Sequence, residues 1–147
     1  MTLKTRKPEK LDYELVFNLM PGMTLVLDAG FTIVAQNFEH AMMTLSIAKD
    51  VVGKNLFDAF PDNPGHSAAD GVSKLRTSLL KVLKTREADV MPVIRYDVQG
   101  ERGPFQPRYW VITNTPILGE DGYVRWIINR AEDVTLLEEL RKAASKG

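Results

Sequence analysis

The sequence predicts an α+β domain built on an antiparallel sheet, and three observations carry that prediction. Short β-prone runs fall in two blocks, at 23–36 and 90–132, on either side of a helical insert. Within each block the runs are joined by brief turn-forming clusters, the connection that antiparallel neighbours use. A parallel array would alternate strands and helices throughout, and this chain does not. A length of 147 residues with 44% apolar residues suits a single domain with its own core.

Residues 1–10, MTLKTRKPEK, are polar and basic and predict a flexible solvated arm rather than a secretory signal. Residues 11–20 place Leu11, Leu15, Val16 and Leu19 on one helical stripe, and Pro21-Gly22 ends it. Two short strands at 23–28 and 31–36 flank Asp28-Ala29-Gly30, which predicts a hairpin. Asn37 is placed to cap a short helix over 37–46. NLFDAF adds a second small helix, and PDNPG at 61–65 is dense in turn formers. Residues 67–85 form the clearest helix, with Val72, Leu75, Leu79, Val82 and Leu83 at helical spacing. Strands follow at 90–99, 106–118 and 123–132, joined by a Gly-bearing hairpin at 100–103 and the turn GEDG. A charged, leucine-bearing helix then begins at Thr135, where Glu138 stands at capping-box spacing.

Composition removes several function classes. Nineteen basic residues balance nineteen acidic ones, so no broad electrostatic field favours nucleic acid. The chain has no cysteine, which excludes disulfides, thiolate nucleophiles and zinc–thiolate sites. No run approaches the ~18 apolar residues of a spanning helix, so a soluble cytoplasmic protein without a membrane partner is expected. No phosphate loop, nucleophile elbow or metal-spaced cluster of His and carboxylates occurs, so an enzyme is not expected.

Three stretches in this order resemble a PAS domain: MPGMTLVLDAGFTIVAQN, GKNLFDAFPDNP and YWVITNTPILGEDGYVRWIINRAEDVT. The resemblance runs from about 15 to 135. It implies a five-stranded antiparallel sheet with helices over one face, plus flanking helices at both ends. It divides the chain into an arm (1–10), a sensor domain with its N-terminal flanking helix (11–135) and the start of a signalling helix (136–147). It further implies a sensory role in signal transduction, with Asp133 and Thr135 relaying a state change into an output such as a histidine kinase. The alternatives are a ligand-free dimerisation module and, further off, a haem sensor or a small cone-shaped α+β enzyme that pairs a buried carboxylate with His or Tyr.

Strand alternation, aligned with PAS relatives, turns Arg95, Trp110, Ile112, Asn114, Ile127 and Asn129 toward the helices as a candidate ligand site. Arg95 then either anchors a small polar or anionic ligand, or it faces solvent or pairs internally with an acid such as Asp58. The opposite face would carry Tyr109, Val111, Trp126 and Ile128, an apolar patch that the 11–20 helix covers from the same chain or from a second copy. The resemblance favours the homodimer. The cofactor is left open: flavin–cysteinyl chemistry is excluded for want of Cys, and haem is disfavoured because the long helix holds no His, leaving only His40 and His66.

Overall fold

A computed structural model describes residues 9–146; the 1–8 part of the expected arm lies outside the described residues. The sheet runs β2 (Ile33–Gln36), β1 (Met23–Asp28), β8 (Val124–Asp133), β7 (Tyr109–Leu118) and β3 (Asp89–Val90), every pair antiparallel. The edge position beside β7 is shared by β3 and a second short piece, β4 (Ile94–Arg95). The five ribbons expected from the sequence are therefore present, with the 90–99 strand broken into segments. Its last part, β5 (Val98–Gln99), leaves the sheet and pairs with β6 (Phe105–Gln106).

The break has a local cause. β3 pairs Asp89 with Asn114 and Val90 with Thr113, but β4 pairs Ile94 with Trp110 and Arg95 with Tyr109. Four residue steps on this strand thus face three on β7. Pro92 lies within the extra length and cannot donate to a ladder. The slip of one residue exchanges the faces of everything beyond it.

The helices lie between the two strand blocks: α2 (Phe38–Met43), α3 (Ala48–Val51), α4 (Leu56–Ala59) and α5 (Gly71–Thr85). As expected, Asn37 caps α2: its Oδ1 accepts from the His40 N–H at 3.1 Å and from the Thr24 N–H at 3.0 Å. Its Nδ2 donates to the Gly22 carbonyl at 2.7 Å, so one fully buried amide ties α2 to the entry of β1. Helix α5 presses Leu75, Leu79 and Val82 onto the sheet, where Leu25, Leu27, Ile33 and Ile127 complete the core. It begins four residues later than expected. Asp62 in the preceding loop accepts its Val72 N–H at 3.1 Å, and Gly71 abuts the Tyr96 ring.

Two flanking helices, α1 (Tyr13–Leu19) and α6 (Thr135–Ser145), bury no side chain. Leu11, Leu15 and Leu19 of the N-terminal stripe are each more than half exposed, so the stripe is not seated on the sheet within one chain.

Candidate functional site

A cavity of about 60 Å³ lies between the sheet and the helices. The sheet contributes Met23, Leu25, Trp110, Ile112, Asn129 and Ala131. The helical side contributes His40, Thr44, Leu56, Phe60 and Leu75, and the irregular run after β4 contributes Tyr96, Asp97 and Val98.

Of the six residues predicted from alternation, Trp110, Ile112 and Asn129 line this space. Asn114 and Ile127 are fully buried on the same face but off the cavity wall. Arg95 departs from the expectation. The one-residue slip at 90–94 turns Ile94 into the core in its place, and Arg95 does not line the cavity. It does pair internally, but with Asp97 rather than Asp58. Its Nε donates to Asp97 Oδ1 at 2.9 Å and its Nη2 to Asp97 Oδ2 at 3.0 Å, a bidentate fork. The Asp97 side chain is only 1% exposed against 31% for Arg95. Burial pushes the Asp97 carboxyl up, but hydrogen bonds from Arg95 and Asn63 outweigh it and hold the group below its ordinary range. The same slip brings a carboxylate to the cavity wall, contrary to the expected inward set, although both of its oxygens are already engaged.

Sequence reasoning did not include His40, Thr44 or Tyr96 in the ligand site. Helix α2 is inverted: Asn37, His40 and Thr44 are buried at helical spacing while Phe38 and Met42 are exposed. Polar residues at i, i+3 and i+7 were the available signal, but a hydrophobicity pattern assigns them to solvent. His40 is 4% exposed, and burial lowers its pKa to about 3, so the imidazole is neutral at physiological pH. Its Nδ1 lies 2.9 Å from Gln36 Nε2 and its ring meets Phe60 edge-on at 5.7 Å. Burial also raises the Tyr96 phenol, whose hydroxyl donates to the Phe60 carbonyl.

At the far end of β7 and β8, the chain turns into α6 through a compact junction. The Tyr109 N–H donates to Thr135 Oγ1 at 3.0 Å, and the Val134 N–H donates to the Tyr109 carbonyl at 2.9 Å. Thr135 Oγ1 donates to Asp133 Oδ1 at 2.5 Å, which also accepts the Thr135 N–H at 2.9 Å. The expected capping box is therefore not formed. Asp133 supplies the cap, Thr135 spends its hydroxyl on β7, and Glu138 instead pairs with Arg141 at 2.7 Å. Beyond the junction Leu136, Leu137 and Leu140 are all largely exposed.

Residues 17–139 match the family described as the PAS fold. The chain belongs to the PAS family. Solved PAS domains share its architecture. That of nitrogen regulation protein NR(II) from Vibrio parahaemolyticus is 18% identical, with a TM-score of 0.61 over 84% of this chain and 99% of that one. A sensory box sensor histidine kinase from Vibrio cholerae is 20% identical, with a TM-score of 0.56 over 84% and 88% of the two chains. A PAS domain from Colwellia psychrerythraea is 15% identical, with a TM-score of 0.65 over 84% and 94%. No curated protein matches the chain. Among the described residues, no helix of this PAS domain is long and apolar enough to cross a membrane.

Proposed function

We propose that this PAS domain is the sensory module of a signal-transduction protein. A small molecule occupies the cavity, two copies associate through the outer sheet face and α1, and the change of state passes through Asp133 and Thr135 into α6. The output is a histidine kinase or a comparable effector, carried by the same chain or by a partner. Trp110, Ile112 and Asn129 contact the ligand directly, while Asn114 and Ile127 hold the wall behind them.

The observation that carries this reading is the junction at Tyr109. This residue accepts from the Val134 N–H and donates its own N–H to Thr135, while its neighbour Trp110 lines the cavity. A shift of the cavity wall along β7 therefore moves the first turn of α6, whose leucines await a partner. The mechanism is a population shift, which requires a ligand to bind one arrangement better than the other.

Hydrogen exchange tests it. Ligands found by a fragment screen should change the protection of the Tyr109, Val134 and Thr135 amides on saturating the cavity. Saturation that leaves those amides and the oligomeric state untouched would remove the sensory reading. One observation favours a second reading, a ligand-free interaction module: about 60 Å³ is far below the ~300–1,000 Å³ of typical small-molecule sites. Under that reading the screen returns no cavity ligand, and the apolar surfaces alone carry the function.

A further inference from the structure

The two polar side chains of interest on the cavity wall are Asn129, with an unpaired acceptor oxygen, and His40, with an unpaired donor, and both assignments follow from the networks behind them. The acceptor stands at the inner end of a chain of buried polar groups. Asn129 Nδ2 donates to Asn114 Oδ1 at 2.7 Å, Asn114 Nδ2 donates to Ser78 Oγ at 2.9 Å, and Ser78 Oγ donates to Asp89 Oδ2 at 2.7 Å. A carboxylate only accepts, so Asp89 sets the direction of every bond in the row. Ser78 must give its proton outward, Asn114 must turn its nitrogen to Ser78, and Asn129 must turn its nitrogen to Asn114. The Asn129 carbonyl oxygen and the second proton on its Nδ2 are what remain, and neither has a partner among the described residues.

The donor is His40. Gln36 Nε2 gives its two protons to Ser46 Oγ at 2.8 Å and to His40 Nδ1 at 2.9 Å, leaving its own buried Oε1 unpaired. The flipped amide would instead strand an NH₂ group with two protons, the costlier defect. Nδ1 is therefore an acceptor, and the proton of the neutral ring sits on Nε2, which has no partner among the described residues. Two polar side chains, 4% and 3% exposed, thus line one apolar cavity with an unused donor and an unused acceptor. Gln36 Oε1 is the unpaired atom that protein seals off, whereas His40 Nε2 and Asn129 Oδ1 stay accessible and can be met by a molecule in the cavity. Among the described residues no Lys or Arg lines the cavity, and the nearby Arg95 fork is spent on Asp97.

Resting on the sensory reading of this cavity, we infer that its ligand is a small neutral molecule bearing a hydroxyl or primary amide, which accepts from His40 Nε2 and donates to Asn129 Oδ1. Size narrows the class further. A cavity of about 150 Å³ admits benzene, so 60 Å³ corresponds to about two to four non-hydrogen atoms. A carboxylate of the same size would bring a charge that no lining Lys or Arg meets, and at the position facing Asn129 Oδ1 it would set lone pairs against lone pairs.

Acetamide and acetate, nearly identical in shape, separate these chemistries on the full chain at neutral pH. In ¹⁵N-resolved NMR, acetamide should shift the His40 ring nitrogens and the Asn129 side-chain amide saturably, with the ring protonated on Nε2. Acetate should bind at least about tenfold more weakly. Asn129→Leu should abolish the acetamide response at His40, while the comparison on the unaltered protein requires no variant to fold. Equal binding of acetate, or no acetamide response at these groups, overturns the inference. The two readings fail separately. Acetate binding that moves the Tyr109–Thr135 amides sinks this inference and leaves the sensory reading standing. Acetamide binding that leaves them still does the reverse.

Discussion

At the scale of single residues, the informative side chains are polar ones held inside. His40 is neutral because charging it in the core is unfavourable, and this makes a signed prediction. Its pKa is about 3 when folded against an ordinary value near 6.5. Its contribution to stability is therefore complete above pH ~6.5 and is lost as the pH falls toward 3, at up to about 1.4 kcal/mol per pH unit. Denaturant titrations at pH 7 and pH 5 should show that loss, and His40→Gln should flatten it. Arg95 was predicted inward and lies outside the cavity, yet it is structurally important because Asp97 is buried behind it. Arg95→Ala should destabilise by about 1–3 kcal/mol, less than a fully buried pair would lose because the guanidinium is partly solvated. Adding Asp97→Asn should recover part of that cost in a double-mutant cycle.

At the scale of elements, positions are set by contacts that cross between segments far apart in the chain. Helix α5 approaches β4 so closely that a Cβ on Gly71 would stand 2.8 Å from the Tyr96 ring. Gly71→Ala should therefore cost about 1–3 kcal/mol as an overpacking change, despite the better helix propensity of alanine. Thermal denaturation would read it, and a stabilised variant would show that the contact relaxes freely. At the other end, Thr135→Val keeps the shape but removes the hydroxyl that accepts the Tyr109 N–H. The expected result is faster hydrogen exchange at Tyr109 and through the first turn of α6, with global stability changed by about 1–2 kcal/mol or less. Element type and order were legible because strands and helices here carry strong periodicity. The break in the 90–99 strand was not, since a single extra residue leaves composition unchanged while reversing every face after it.

At the scale of the whole molecule, and among the described residues, the α1 stripe and the α6 leucines stand exposed, and the outer sheet face at Val111, Trp126 and Ile128 is half-buried. Exposure of that extent is the mark of an interaction surface. If a second copy covers the sheet face, Ile128→Glu should lower the mass measured by light scattering to that of a monomer while leaving the circular dichroism spectrum unchanged. A monomeric unaltered protein would assign these surfaces to a different partner. The candidate site is likewise a property of the assembled fold. Trp110, Ile112 and Asn129 could be read from alternation along β7 and β8, because those long strands pair almost without irregularity over their length.

Local patterning was sufficient for the α+β class, the hairpins, the Asn37 cap and the inward faces of the two long strands, because each depends on neighbours within one element or one turn. The cavity's chemistry was not accessible that way. Whether Arg95 or Asp97 stands at the wall depends on a register offset against β7. Whether Asn129 shows an oxygen or a nitrogen depends on Asp89, forty residues away and three hydrogen bonds distant. Hydrogen-bond direction and strand register are set by partners remote in the chain, so they exist only once the helices and the sheet have met.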